Sequence, residues 1–267
     1  MDAAASQAKT VLAIDHIAVH FSGLIAISDM SFAVNEGEVV SLIGPNGAGK
    51  TTAFNVITGF LRPTKGEVRY RGTSLGNLKP HEVTSLGLAR TFQRTSVFQN
   101  VSVFENVMIG LHRRGRSRLW DTLLRLPRER QSEDELRARA AEILALVGIE
   151  RRAHELAGSL AYGEQRLLGV ALALATDPSM LLLDEPVSGM NETETARFMQ
   201  LLRRLRGLNI TILLVEHDMP MVMGVSDRIV VLNYGRIIAE GPPAAIQGNP
   251  EVIRAYLGQG ARRRAGH

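Results

Sequence analysis

The sequence has no cysteine and no long apolar run, and these two absences exclude several classes of protein. None of the 267 residues is cysteine, so the chain forms neither a disulfide framework nor a thiolate metal cluster, which fits a reducing cytosol. The longest apolar runs, residues 169–176 and 180–183, are far shorter than the roughly 20 residues of a membrane-spanning helix. Residues 1–10 also lack the basic start and apolar core of a signal peptide. We therefore expect no membrane-spanning or secretory segment.

Lysine is also scarce, whereas the overall composition is ordinary. Of 31 basic residues only four are lysines, and Lys50 is conspicuous among them because it lies in a glycine-rich stretch. Hydrophobic residues make up 45% of the chain and charged residues 22%, which argues against a disordered or fibrous protein. At roughly 150 residues per domain, the length predicts one large domain or two unequal lobes.

Apolar strand patterns that alternate with helical patterns predict an α/β fold. Strands are predicted at residues 11–19, 31–34, 38–43, 66–70, 180–183 and 210–215, a hairpin at 228–240, and helices at 50–59, 132–147 and 192–206. Between about residues 93 and 166 the pattern becomes helical and rich in arginine. This change predicts a separate helical lobe.

A glycine-rich loop predicts a phosphate site. Residues 44–51 match the pattern G-x-x-x-x-G-K-[ST], with an apolar strand before the loop and a helical pattern after it. Glycines let successive backbone N–H groups face phosphate oxygens, and the helix N-terminus adds its dipole. We expect Lys50 to reach the β- and γ-phosphates, Thr51 to ligate Mg²⁺ and Thr52 to add a phosphate contact. The remaining loop contacts are expected from Gly44, Asn46, Gly47 and Gly49.

Two adjacent carboxylates follow the apolar strand at residues 180–183. Asp184 is expected to hold Mg²⁺, usually through water, and Glu185 to polarise the attacking water as a general base. A strand that simply ends in surface acids would look the same, but the phosphate loop upstream weakens that alternative.

Together with shorter motifs, these elements resemble ATP-binding-cassette ATPases over nearly the full length of the chain. Residues 160–165, Leu-Ala-Tyr-Gly-Glu-Gln, resemble the cassette signature, usually L-S-G-G-Q, and residues 188–191 occupy the D-loop position. Gln93 matches the Q-loop, His217 the switch histidine and Phe21 the aromatic residue that stacks on adenine. Taken alone, each has an ordinary alternative: a surface glutamine, a helix-start residue and a core phenylalanine.

The resemblance implies a fold and its division. It implies an α/β, P-loop (RecA-like) ATPase core with an antiparallel β subdomain, formed by residues 1–92 and 167–267. A helical subdomain would comprise residues 93–166, and residues 259–267 would form a mobile basic tail.

The resemblance also implies ATP and Mg²⁺ as cofactors and assigns roles to residues. Glu185, His217 and Gln93 would be catalytic, and Thr51, Gln93 and Asp184 would hold the metal. In this family two subunits sandwich two ATP molecules, and each signature completes the partner's site. The signature contacts would come from Ala161, Tyr162, Gly163, Glu164 and Gln165.

The signature departs from the family pattern. Ala161 stands where a serine hydroxyl would contact the γ-phosphate, a loss that would weaken dimer closure by roughly 1–3 kcal/mol. Tyr162 replaces the usual glycine, as it does in a known subset of the family. Farther along the same helix, Leu172 stands near the position of the family's usual arginine. We hypothesise that the ATP site completed by this signature is the weaker one of a heterodimer.

Three further features resemble the larger ATPase subunit of bacterial branched-chain amino acid importers. They are the Arg-Thr-Phe-Gln form of the Q-loop, Gly-Met-Asn at residues 189–191, and the ending at residues 233–258. Urea and amide importers share much of this pattern, and the ATPase of lipopolysaccharide export is also close. A cassette ATPase that acts on nucleic acid or ribosomes is the alternative from a different class.

The resemblance implies partners and a location. The partners would be integral-membrane permeases, a second ATPase subunit in a homodimer or heterodimer, and a periplasmic solute-binding protein, with no nucleic acid. The chain would lie peripherally on the cytoplasmic face of the inner membrane. Apolar permease contacts, or equally subdomain core, are expected from Phe92, Val97, Phe98, Val101 and Phe104.

The positive charge is concentrated in two segments. Residues 113–130 carry +5 and residues 262–264 carry +3, so within the net charge of +4 the rest of the chain carries −4. A solvated basic surface is the simpler interpretation. The functional interpretation places both segments near anionic lipid, where each basic residue contributes about 1 kcal/mol.

Overall fold

A mixed β-sheet organises the protein. The structure, a computed structural model, describes residues 9–91, 97–112 and 127–256, and for 127–132 it describes the backbone alone. Within these residues one ten-stranded sheet has the order β5-β4-β1-β2-β10-β9-β3-β8-β7-β6. The strands are β1 Thr10–Phe21, β2 Leu24–Asn35, β3 Val39–Ile43, β4 Lys65–Tyr70, β5 Thr73–Ser74, β6 Leu88–Arg90, β7 Met180–Asp184, β8 Thr211–Val215, β9 Arg228–Asn233 and β10 Arg236–Gly241.

Helices connect and cover the strands. They are α1 Lys50–Ile57, α2 Pro80–Ser85, α3 Val103–His112, α4 Pro127–Val147, α5 Tyr162–Leu174, α6 Glu192–Gly207, α7 Met219–Val225 and α8 Pro243–Gln247. Residues 250–256 are also helical. None of the helices in the described part of the chain is long and apolar enough to cross a bilayer.

The parallel half of the sheet consists of β9, β3, β8, β7 and β6. Every residue of β3, β7 and β8 is buried, as expected for continuous apolar strands covered on both faces. Parallel strands end at the same edge of a sheet, and ligands of such sheets bind beyond that edge. The segments that follow β3, β7 and β8 therefore meet there.

The antiparallel half confirms the predicted β subdomain. β1 pairs with β2 and β4, and β10 joins the two halves because it pairs antiparallel with β9 and parallel with β2. The predicted hairpin is also confirmed. Its turn residues Tyr234 and Gly235 have φ values of 45° and 73°, which matches a turn whose twist suits two antiparallel strands.

Helices α3, α4 and α5 pack on one another and on the sheet. One hydrophobic cluster runs from Val107, Ile143 and Leu168 in these helices to Leu181 in β7 and Leu205 in α6. Helix α4 starts at Pro127, earlier than its apolar pattern predicts, and proline is well tolerated in a first helical turn. The predicted boundary after residue 166 falls inside α5, and the assignment of these helices to a separate lobe stays a prediction.

Several predicted features lie outside the described residues. They are Phe92 and Gln93 of the Q-loop, residues 113–126 of the basic segment 113–130, and the tail at residues 259–267.

Candidate functional site

The phosphate loop links β3 to α1 and depends on glycine at two close contacts. A Cβ atom at Gly44, which has a φ of 152°, would lie 2.0 Å from the carbonyl oxygen of Leu232. A Cβ atom at Gly49 would lie 2.7 Å from the carbonyl oxygen of Ala26. Since no larger residue fits at either position, strands β2 and β9 pack directly against the backbone of the loop.

Lys50 places its ammonium group inside this loop. Its Nζ donates hydrogen bonds to the carbonyl oxygens of Gly44, at 2.6 Å, and Pro45, at 3.1 Å. Partial burial lowers the pKa of Lys50 below its usual value, and the nearby Glu185 and Asp184 carboxylates offset only part of this shift. The loop thus holds a positive charge where its own backbone curls, an arrangement that fits the phosphates of a nucleotide.

The other predicted loop contacts surround that charge. Thr51 and Thr52 lie in the first turn of α1, and Asn46 and Gly47 are exposed at the tip of the loop. The first turn of α1 contains no acidic residue, so nothing in it opposes an anion at the positive end of the helix.

Asp184 ends β7 with its side chain only 6% exposed, and it pairs with an arginine. Its Oδ2 accepts a hydrogen bond from Nη2 of Arg90 at 2.7 Å. Arg90 also donates to Oδ1 of Asn55 at 2.8 Å and lies 5.4 Å from the ring centroid of Phe54, both in α1. Arg90 therefore joins β6, β7 and the helix of the phosphate loop.

Glu185 and His217 meet at the end of the parallel strands. Oε1 of Glu185 lies 4.0 Å from Nδ1 of His217, and the histidine side chain is 63% exposed. Glu185 has a φ of 47°, a left-handed conformation that is costly for a residue with a side chain. Its backbone N–H donates to the carbonyl oxygen of Val215 at 2.8 Å, which holds this bend against β8.

The signature opens helix α5 without a side-chain cap. Ala161 is the N-cap residue and has no acceptor, so only half of a capping box forms, from the backbone N–H of Ala161 to Oε2 of Glu164 at 3.1 Å. Nε2 of Gln165 donates to the carbonyl oxygen of Leu160 at 3.0 Å. Gly163 is buried, and a Cβ atom there would lie 3.0 Å from Oε1 of Glu194 in α6.

Tyr162 connects the signature to the D-loop of the same chain. Nη2 of Arg166 donates to its hydroxyl at 2.5 Å, and the guanidinium lies 5.0 Å from the ring centroid. On the other side, a Cβ atom at Gly189 would lie 2.9 Å from Cε1 of Tyr162. The start of α5 and the loop after Glu185 therefore pack as one surface.

Phe21 ends β1 at the tip of the β1–β2 hairpin. It is 45% exposed and pairs across the hairpin with Leu24, which is 67% exposed. An exposed aromatic ring can stack on a flat base, whereas a ring in the core cannot.

The expected permease contacts differ in exposure. Phe98 is 56% exposed, and Val101 lines an open groove together with Met108 and Ile109 of α3. Val97 and Phe104 are partly buried and pack instead against the cluster that joins the helices to the sheet, so they lie at the edge of the core.

Sequence reasoning assigned no role to Arg90 or Tyr256. Arg90 is the first residue of the Arg-Thr-Phe-Gln motif. Its position at the end of an apolar strand could have indicated that it lies near the site. The buried hydroxyl of Tyr256 faces the backbone of Gly44, and burial raises the pKa of Tyr256 to about 12. No sequence pattern indicates that contact, because it joins residues at opposite ends of the chain.

Among the described residues no group of three histidine, aspartate or glutamate side chains forms a metal site by itself. Thr51 and Asp184 nevertheless offer the oxygen donors that Mg²⁺ prefers, and Mg²⁺ is usually bound by one or two protein groups together with substrate phosphates. The residues present therefore fit Mg²⁺ only when it is bound jointly with a nucleotide. Gln93, the third expected ligand, lies outside the described residues.

Comparison with known proteins identifies a family and a set of relatives. The ABC transporter family model matches residues 27–188, and a model described as a branched-chain amino acid ATP-binding cassette transporter matches residues 236–262. The high-affinity branched-chain amino acid transport ATP-binding protein LivG of Salmonella typhimurium is 44% identical over 94% of this chain and 99% of that protein. BraF of Pseudomonas aeruginosa, which carries the same description, is 42% identical over the same shares.

Solved structures agree with this assignment. The ADP conformation of MJ1267, an ATP-binding cassette of an ABC transporter, superposes with a TM-score of 0.82 and 32% identity, covering 93% of this chain and 99% of that one. A nucleotide-free ATP-binding cassette from an ABC transporter gives a TM-score of 0.81 with 31% identity, covering 92% and 98%.

The buried pair of Arg90 and Asp184 predicts a large loss of stability when one partner is removed. Arg90→Ala leaves a buried carboxylate without its counter-charge, and we expect the free energy of unfolding to fall by about 3–5 kcal/mol. The control is Arg137→Ala, which breaks the exposed pair with Glu133 and should leave stability nearly unchanged. Urea unfolding measures both, and equal losses would contradict the importance of the buried pair.

Proposed function

The chain belongs to the ABC transporter family of ATP-binding proteins, and from that premise we propose that its ATP hydrolysis drives the import of branched-chain amino acids. One observation carries the proposal. The phosphate loop and the residues Asp184, Glu185 and His217 meet at one sheet edge, in a chain that matches LivG over 94% of its length. The match of residues 236–262 to the branched-chain model supports this substrate class over urea, amides or lipopolysaccharide. It likewise disfavours action on nucleic acid or ribosomes.

The phosphate loop binds the nucleotide through backbone and charge. Backbone N–H groups of residues 44–49, the N-terminus of α1 and the Lys50 ammonium group all offer positive charge to phosphate oxygens. On binding, Lys50 exchanges the carbonyl oxygens of Gly44 and Pro45 for phosphate oxygens. Phe21, exposed at its hairpin tip, stacks on the adenine.

The catalytic residues act on the water that attacks the bound nucleotide. Bound ATP with Mg²⁺ supplies the γ-phosphoryl group, and Thr51, Asp184 and Gln93 are the residues that would hold the metal. Glu185 orients the water and accepts its proton at a carboxylate oxygen. His217, which lies 4.0 Å from Glu185, helps to orient the same end of the nucleotide.

Two subunits complete each ATP site between them. The start of α5, with residues 161–165, would face the γ-phosphate bound by the partner, where its backbone N–H groups and helix dipole favour an anion. ATP then binds the closed dimer better than the open one, and hydrolysis removes that preference.

The membrane partners would dock on the helical side of the chain. The exposed Phe98 and the groove at Val101 and Ile109 offer an apolar surface to cytoplasmic segments of separate permeases. The helices of residues 93–166 would act as the subdomain that receives them. In this proposal the chain lies peripherally on the cytoplasmic face of the inner membrane, and a periplasmic solute-binding protein delivers the amino acid.

Removal of the general base tests the enzymatic part of the proposal. Glu185→Gln keeps the shape of the side chain but cannot accept the proton, so ATP turnover should fall at least about 100-fold while ATP affinity is retained. Glu192→Gln, at an exposed position in α6, is the control and should hydrolyse ATP normally. Unchanged turnover in Glu185→Gln would refute the assigned base.

The same variant tests transport in membrane vesicles that contain the permeases and the solute-binding protein. Wild-type protein should support ATP-dependent uptake of leucine, isoleucine or valine, and Glu185→Gln should abolish it. Uptake of urea or short amides without branched-chain amino acids would overturn the proposed substrate class.

Ala161→Ser tests the weak-site hypothesis. A serine would cap α5, raising stability by about 0.5–2 kcal/mol, and would also donate to the partner's γ-phosphate. Ala161→Asp is the matched control, because it caps the helix equally well but repels phosphate. We expect both variants to raise the melting temperature and only Ala161→Ser to tighten ATP-driven dimerisation, as measured by sedimentation. No tightening in Ala161→Ser would refute the hypothesis.

Phe98→Asp tests the docking surface. A charge at this exposed apolar position should abolish copurification with the permeases and leave ATP binding by the isolated subunit unchanged. Leu208→Asp, an equally exposed apolar position after α6, serves as the control and should copurify normally. If Phe98→Asp also copurifies normally, the docking surface lies elsewhere.

A further inference from the structure

Glu216 is a buried carboxylate to which the mechanism gives no role. It lies between β8 and His217, and its side chain is 0% exposed. Burial of a charged group costs free energy unless hydrogen bonds replace its lost hydration. The bonds that Glu216 accepts therefore indicate what its charge does.

The two carboxylate oxygens of Glu216 accept bonds from two different loops. Oε1 accepts from the backbone N–H of Val187 at 3.0 Å. Oε2 accepts one bond from the backbone N–H of His217 at 2.9 Å and a longer one from the backbone N–H of Asp218 at 3.4 Å. Bonds to a charged acceptor are about twice as strong as neutral ones, so this side chain ties the loop after β7 to the loop after β8.

Both loops carry residues of the hydrolytic site. Val187 lies two residues after Glu185, and the N–H of Ser188 donates to the carbonyl oxygen of Glu185 at 3.3 Å. Next along the chain, Gly189 packs against Tyr162 of the signature. A continuous line of contacts thus runs from the switch histidine through Glu216 to the surface that faces the partner subunit.

We propose that Glu216 is a positioning residue that holds the loop of Glu185, the loop of His217 and the D-loop in one arrangement. The proposal rests on the proposed ATPase function. It adds to that function the side chain that aligns these three loops. Glutamine at this position keeps the volume but presents an NH₂ group to one loop or the other. Whichever way the amide is turned, a backbone N–H then faces a donor and one of the two links is lost.

The test compares Glu216→Gln with the same change at a carboxylate that is largely buried but lies at the opposite edge of the sheet. Glu38 precedes β3, has a side chain 14% exposed, and accepts from the N–H of Asn35 at 2.9 Å and from Arg228. Glu38→Gln should therefore lower the melting temperature without changing kcat.

For Glu216→Gln we expect kcat for ATP to fall about 10- to 100-fold, because small displacements of catalytic groups have effects of this size. The KM for ATP should stay within about twofold, since the phosphate loop is untouched. A fall in melting temperature with an unchanged kcat, as in Glu38→Gln, would overturn the proposal. If Glu216→Gln does not fold, Glu216→Asp replaces it, because aspartate keeps the charge but reaches less far. This variant should also show a lower kcat with a nearly unchanged KM, and a wild-type kcat would overturn the proposal.

A second measurement does not depend on turnover. In a Glu185→Gln background, which removes hydrolysis, ATP-driven dimerisation should weaken when Glu216→Gln is added, because the D-loop and signature are no longer aligned. Equal dimerisation with and without Glu216→Gln would contradict the link to the signature. A wild-type protein without ATPase activity would refute the proposed function itself, whereas an active wild type with an unaffected Glu216→Gln variant would refute only this inference.

Discussion

The parallel pairing of β3, β8 and β7 is the constraint on which the site depends. Leu42 of β3 and Asp184 of β7 both pair with Val215 of β8, so the three strands end in register. The phosphate loop, the carboxylates and His217 lie at or just after those ends. A shift of one residue would turn the side chains of a strand to the other face and separate these groups.

Buried polar contacts then hold the loops that leave this edge. The Arg90–Asp184 pair ties the strand before the Q-loop to the carboxylate expected to hold the metal, and Glu216 ties the two loops beside it. Against the phosphate loop, the hairpin of β9 and β10 packs so closely that Gly44 admits no side chain. In each case at least one of the contacts joins residues that are far apart in the chain.

Much of the fold and site was predictable because it is encoded locally. Continuous apolar runs identify β3, β7 and β8, and the glycine and lysine pattern identifies the loop between β3 and α1. The partners of Arg90 and Glu216 were not predictable, although both residues lie within recognised motifs. A charged residue next to a motif looks like a surface residue until its burial and its partners are known, and those depend on which strands are neighbours.

The sequence by itself determined the family, the order of the motifs and the elements that carry them, since each depends on residues close together in the chain. Only the tertiary structure decided that Phe21 is exposed, that Phe104 packs against the core while Phe98 is exposed, and that the start of α5 packs on the D-loop. The physical reason is that exposure and long-range hydrogen bonds arise from packing between distant segments, which no local pattern records.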